Sequence, residues 1–273
     1  MNKWDWEPSV VAGCVVLSLA YVAFVRKRGF NRAPYFFAGV LLLLLDLVSP
    51  IDTLADQRLF SAHVVQHFLL ALVIPPLLLL GIPKWFAAGA LRQPWLRKVE
   101  CMVGQPPVSW LLGVGTMLAW HIPVLFNAAL ANDGLHVIQH LSMLATGTIF
   151  WWPILGPLDD RHLPTLGAVS YLFSACVCCS LLGAFLTFGP VGLYPTYAGY
   201  GGLDPKSDQQ LGGMLMWVPG CFVYLAGIIK SVARWYGAER AACNCGARTP
   251  ACRVHTRVNA PSIELALDKR SSK

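Results

Sequence analysis

Residues 63–82 read HVVQHFLLALVIPPLLLLGI, twenty positions without one Asp, Glu, Lys or Arg. As a helix, at about 1.5 Å per residue, such a stretch crosses the ~30 Å hydrocarbon core of a bilayer. The surrounding chain continues the pattern. Of its 273 residues 56% are apolar and 13% charged, against roughly 45–50% and about 25% for a soluble domain, and the mean hydropathy is +0.54. Seven apolar windows, 9–25, 35–50, 64–82, 108–127, 137–155, 166–189 and 210–230, approach or reach the length of a span. The expected fold is an all-α polytopic membrane protein, a seven-helix bundle over residues 1–236 with a flexible basic tail over 237–273. Its solvent is the lipid bilayer. The net charge of +7 does not point to nucleic acid, because most of the excess flanks apolar windows.

Lys and Arg collect in cytoplasmic loops, so their distribution predicts orientation. Eighteen of the 21 fall on one side: between windows 1 and 2, 3 and 4, 5 and 6, and from Lys230 onward. Only Lys3, Arg58 and Lys206 fall on the other. This places the N-terminus outside and the C-terminus in the cytoplasm. Asp5 and Glu7 precede the first window and Arg26, Lys27 and Arg28 follow it, the reverse of a secretory signal. The first window is therefore expected to stay as an anchor.

That orientation puts five of the seven histidines in one extracytoplasmic layer: His63 and His67 opening span 3, His121 near the end of span 4, and His136 and His140 opening span 5. His63-Val-Val-Gln-His67 and His136-Val-Ile-Gln-His140 are nearly the same pentapeptide, 73 residues apart, and Pro50 and Pro123 each stand 13 residues upstream. Aligning 48–67 with 121–140 gives six identities in 20, which suggests an internal duplication in parallel orientation; convergence on one site is the alternative. Histidines at i and i+4 share a helix face, and two such faces can converge.

Ionisable groups inside a membrane are functional candidates by default, and neutral imidazole is the commonest protein metal ligand. Nearby thioethers bias a site toward copper; Met117, Met143 and Met214 lie close in sequence or expected depth. His63, His67, His121, His136 and His140 are thus candidate ligands of a copper site. Asp46, in the outer part of span 2, could fix the tautomer of a ligand histidine. Asp208, just before span 7, is expected to cap that helix, and Gln210 could face the cluster.

Neither pentapeptide has the Glu of H-E-x-x-H, and no nucleophile elbow, phosphate-cradling loop or dinucleotide fingerprint occurs in a suitable context. No enzymatic activity is expected. The nine cysteines do not form a disulfide framework; Cys176, Cys178 and Cys179 read as small packing residues in span 6. Cys243, Cys245 and Cys252 in the tail offer soft ligands without a clear fourth.

Several ordered motifs resemble the CtaG-type cytochrome c oxidase assembly factors, seven-helix bacterial membrane proteins. They are Ser61-Ala-His63-Val-Val-Gln-His67, Trp120-His-Ile-Pro123, His136-Val-Ile-Gln-His140-Leu-Ser, Phe150-Trp-Trp-Pro-Ile-Leu-Gly-Pro157, Leu193-Tyr-Pro-Thr-Tyr197 and Asp208-Gln-Gln-Leu-Gly-Gly-Met-Leu-Met-Trp-Val-Pro219. The likeness covers about residues 35–235; many members carry Met where this chain has Val64. It implies a multi-pass protein of the bacterial inner membrane that helps form the copper centre of a haem-copper oxidase. The implied partners are the oxidase catalytic subunit and a periplasmic copper donor. From the residues alone, a haem-binding electron carrier and a copper uptake permease are the alternatives.

Overall fold

The computed structural model describes residues 6–26, 29, 31–197 and 202–246, with backbone alone at Gln57 and from residue 238 onward. Among these residues the fold is all-helical. The helices are α1 (Pro8–Val25), α2 (Ala33–Val48), α3 (Pro50–Gln57), α4 (Phe60–Phe68), α5 (Ile74–Gly81), α6 (Lys84–Ala90), α7 (Pro94–Val103), α8 (Pro106–Trp120), α9 (Pro123–Leu130), α10 (Asp133–Leu155), α11 (Thr165–Phe188) and α12 (Pro205–Gly246). Proline stands in the first turn of α1, α2, α3, α5, α7, α8 and α9, where its missing N–H removes no helical bond.

Each of the seven windows falls on helix, but length and apolarity qualify four as spans: α1, α4 through α5, α11, and α12 as far as Gly237. The count rises to six if each of two bent pairs is one span. α10 is 23 residues long but carries His136, Gln139, His140, Ser142, Thr146 and Thr148, and it is not among the qualifying helices. The fourth window, 108–127, runs straight through a bend. α8 ends at Trp120 and α9 leaves it at 72°, because Pro123 cannot donate into the preceding turn. Similarly, α3 leaves α2 at 51°.

These bends belong to a repeat larger than the pentapeptides. α2, α3 and α4 begin at residues 33, 50 and 60; α8, α9 and α10 begin at 106, 123 and 133, each 73 residues later. In both copies a long helix breaks, a Pro-initiated eight-residue helix follows, and a histidine-bearing helix begins. A shared break at matching offset is hard to obtain by convergence on a few ligands, so it favours duplication.

In the first copy α4 and α5 form one continuous helix through a wide π-type turn, Leu69–Val73. Pro75 and Pro76 lie just beyond, and a π turn relieves the clash between a proline ring and the carbonyl one turn back. Opposite this turn stands Gly147 of α10. A Cβ there would lie 2.6 Å from the Ala71 carbonyl oxygen and 3.0 Å from the Ala71 Cα. Only glycine lets the two backbones approach this closely, and the contact sets the spacing of the two histidine helices two turns away.

α4 has no side-chain cap of its own: Leu59 precedes it. Its exposed amides are taken by Asp208 of α12, whose carboxylate accepts from Phe60 N at 2.7 Å, Ser61 N at 3.1 Å and Ser61 Oγ at 2.5 Å. The expectation that Asp208 caps its own helix is thus corrected. α12 starts earlier than the window suggests, and Asp204 caps it, with Oδ1 accepting from Lys206 N and Ser207 N at 2.9 Å. Gln209 ties α12 to the end of α11 through the Leu186 and Pro190 carbonyls, each at 3.1 Å.

At the far ends of the histidine helices, Lys84 pairs with Asp159 and Arg161 with Glu100, the latter at 3.3 Å. Lys84 holds the Asp159 carboxyl below its usual range. Residues 1–229 form one compact unit and residues from Lys230 onward a second. α12 continues to Gly246, past residue 236 where the bundle was expected to end. Cys252 and His255 lie outside the described residues, as do the side chains of Cys243 and Cys245.

Candidate metal centre

The two pentapeptides open α4 and α10, so His63/His67 and His136/His140 each project from one helix face over a single turn. Ring centroids lie 4.4 Å apart for His63–His67, 4.2 Å for His136–His140, 5.4 Å for His63–His136, 5.7 Å for His67–His140 and 5.8 Å for His63–His140. His121, at the break after α8, joins through His67 at 5.3 Å. The structure therefore brings all five expected histidines into one cluster. Within it, His63, His136 and His140 each offer a nitrogen within 4.8 Å of the other two, close enough to share an ion.

Hydrogen bonding fixes the imidazole tautomers by elimination. The Tyr197 hydroxyl donates its single proton to the Ala55 carbonyl at 2.7 Å. Its oxygen, 3.1 Å from His63 Nδ1, can then only accept, so Nδ1 carries the hydrogen and Nε2 the lone pair. His63 Nε2 lies 3.0 Å from His67 Nε2, which must be the donor. That leaves the lone pair of His67 on Nδ1. His121 Nδ1 donates to the Met117 carbonyl at 2.7 Å, which leaves Nε2 as its lone pair. His67 Nδ1, His121 Nε2, His136 Nε2 and His140 Nε2 are buried atoms without a hydrogen-bond partner. Buried polar atoms are normally satisfied; of these four, His136 Nε2 has the Asp56 carboxylate 3.6 Å away, and neutral imidazole nitrogens of this kind are able to ligate a cation.

Aromatic side chains wall the cluster. Phe126, at 0% exposure, packs 4.7 Å from the His63 ring and also touches Phe60 and Tyr194. Tyr194 donates to the His121 carbonyl at 2.8 Å, holding the bend from the 191–197 loop. On the open side lies a crevice of about 470 Å³. Glu7, Asp52, Asp56 and Asp133 line it together with His136 and His140, while its remaining wall is largely apolar. Asp56 Oδ1 lies 3.6 Å from His136 Nε2, so carboxylates lead directly to the first imidazole.

The accessory residues separate. Met117 lines a small cavity beside His67 and His121. Met143 is buried but lines neither the crevice nor this cavity. Met214 is 44% exposed, and the thioether at the histidines is instead Met216, two positions on. Gln210 is half-buried and lines neither space. Asp46 is 1% exposed, yet its carboxylate makes no hydrogen bond, to a histidine or otherwise; its backbone carbonyl accepts from Gln66 Nε2 at 3.1 Å. Sequence reading missed Tyr197, Tyr194 and Phe126 as shapers of the site, although Leu193-Tyr-Pro-Thr-Tyr197 stood out as a motif.

Residues 16–238 match the family model described as cytochrome c oxidase caa3 assembly factor. The chain belongs to this family. An uncharacterized protein of Mycobacterium leprae (strain TN) is 27% identical over 260 residues, 85% of this chain and 39% of the relative. An uncharacterized protein of Mycobacterium bovis (strain ATCC BAA-935 / AF2122/97) is 25% identical over 268 residues, 88% of this chain and 40% of the relative. The chain thus spans about two fifths of the length of these curated relatives. No solved structure matches. The caa3 assembly family covers both histidine helices and the Asp208 cap, and stops short of the cysteine-bearing tail.

Proposed function

We propose that this chain binds copper at the extracytoplasmic end of a multi-span bundle in the bacterial inner membrane and passes it to the catalytic subunit of a haem-copper oxidase. Three imidazoles from two helices, His63, His136 and His140, with nitrogens within 4.8 Å of one another, carry this reading. All-nitrogen coordination suits copper among other borderline ions, and membership of an oxidase assembly family narrows the choice. The orientation rests on the 18-to-three division of basic residues, which opens the crevice to the side from which a periplasmic donor would deliver copper.

The chemistry required is ligand exchange, without bond cleavage in the protein. Glu7, Asp52, Asp56 and Asp133 raise the local cation concentration at the crevice. His136 and His140 line it, and His63 behind them is oriented by Tyr197. Copper(I) is held by two or three ligands, so a site with spare imidazoles can release its ion stepwise to the histidines of an acceptor. The haem alternative fits less well. A haem needs a flat slot between two opposed imidazoles, whereas here five imidazole rings crowd together beside Phe126.

The test is complementation. In cells lacking this chain, His63→Ala, His136→Ala and His140→Ala variants are expressed and the oxidase is purified. Oxidase with depleted copper is expected; fully copper-loaded, active oxidase from all three variants overturns the proposal.

A further inference from the structure

A second cavity, of about 10 Å³, lies between α4, α8, α11 and α12, and shares no lining residue with the crevice. Such a volume holds one water-sized particle. His67, His121, Met117, Met216 and Cys179 line it, and the remaining wall is apolar. The tautomers derived above assign the lone pairs of His67 and His121 to Nδ1 and Nε2, both buried and without a partner. The Met117 sulfur lies 3.8 Å from the Cys179 sulfur, and Cys179 Sγ lies 2.9 Å from the Tyr224 hydroxyl. Two imidazoles with unpartnered nitrogens and three sulfur-bearing side chains thus line a space of one atom's size.

We propose that this cavity is a second cation site, built for a soft monovalent ion of the copper(I) class, with His67, His121 and Met117 as ligands and Met216 and Cys179 completing the wall. Thioether and thiolate donors select copper(I) over harder divalent ions, whereas the His63–His136–His140 triad is all nitrogen. The two sites differ in hardness and meet at His67, whose Nε2 lies 3.0 Å from His63 Nε2 and whose ring centroid lies 5.7 Å from that of His140. An ion can therefore pass from the crevice through the triad to a sulfur-lined store. The identity of the cation rests on the copper reading above; the existence of a separate sulfur-containing site rests on the cavity and its orphaned nitrogens.

The experiment uses the full chain in detergent, carrying Cys243→Ala, Cys245→Ala and Cys252→Ala so that tail thiols cannot contribute, and loaded anaerobically with copper(I) alone. X-ray absorption is expected to show sulfur as well as nitrogen scatterers. Adding Met117→Leu, Met216→Leu and Cys179→Ala, the Met changes being nearly volume-conserving, is expected to remove the sulfur signal. It should also weaken copper(I) binding by at least about tenfold in competition with a chromophoric chelator. His63→Ala/His136→Ala is expected to keep the sulfur-bound ion. A nitrogen-only shell in the protein with its bundle sulfurs intact overturns the second site and leaves the triad standing, and that spectrum decides even if the sulfur-depleted variant fails to fold. Sulfur scattering that survives the bundle substitutions also overturns it. Absence of copper(I) binding to any form removes both proposals.

Discussion

The Tyr197 hydroxyl lies 3.1 Å from His63 Nδ1 while giving its own proton to the Ala55 carbonyl. Together with the Ala55 carbonyl, one loop residue therefore fixes which nitrogen of a buried imidazole faces the other histidines. Tyr197→Phe keeps the ring packed against Phe60 but removes the hydroxyl from Nδ1, leaving it only the Ala55 carbonyl as an acceptor. The variant is expected to fold with a loss of about 0.5–1.5 kcal/mol, and to bind copper about 10–100-fold more weakly, as loss of a ligand's orienting partner does. Thermal unfolding and chelator competition on the same preparation separate the two effects.

Asp208 holds the first turn of α4 from a helix nearly 150 residues away. Asp208→Ala leaves the Phe60 and Ser61 amides unsatisfied, an expected cost of about 1–3 kcal/mol. The first turn of α4 carries His63, so copper stoichiometry is expected to fall with stability. Asp208→Asn retains an acceptor oxygen and is expected to recover part of both. Equal stability of the Ala variant and the unsubstituted chain would refute the cap.

The contrast between these two residues shows what a sequence carries. The paired pentapeptides and their prolines are legible because the 73-residue offset repeats local chemistry, and the structure extends that offset to three helix starts. The bends after Val48 and Trp120 are not legible from an apolar count, which is blind to direction. Capping rules are local, whereas the partners of Asp208 are remote. A helix opening at residue 210 points to Met214, whereas α12 starts at Pro205 and buries Met216; two positions along an α-helix turn the side chain by about 200° and exchange buried for exposed. Tyr197 escaped because nothing in a loop's sequence states what its hydroxyl will touch.

The acidic mouth predicts a kinetic signature. Asp52→Asn/Asp56→Asn is expected to slow copper association and flatten its dependence on ionic strength, with a smaller change in equilibrium affinity because the triad is intact. Stopped-flow mixing at low and high salt reads this. A rate insensitive to both the substitutions and salt would mean that cations enter elsewhere.

Copper should also stabilise the fold, since the unfolded chain lacks the preformed cluster. At free copper(I) about 100-fold above Kd the expected gain is about 2.7 kcal/mol, seen as a higher thermal midpoint that a chelator reverses. The shift is expected to vanish in the five-histidine variant His63→Ala/His67→Ala/His121→Ala/His136→Ala/His140→Ala.

Gly147 links the packing of the helices to the chemistry between them. A Cβ at this position would meet the Ala71 carbonyl oxygen at 2.6 Å, and neither partner is the end of a flexible side chain. Gly147→Ala must therefore push α10 away from the α4–α5 helix, at an expected cost of about 1–3 kcal/mol, despite alanine's better helix propensity. The triad takes His63 from one of these helices and His136 and His140 from the other, so separation should damage it more than the second cavity, which draws no ligand from α10. The measurable outcome is selective. Nitrogen-only binding of cobalt(II) or zinc(II) is expected to weaken, while the sulfur-coordinated copper(I) signal persists. Loss of both in equal measure would mean that the glycine contact supports the bundle as a whole and does not set the spacing of the two histidine helices.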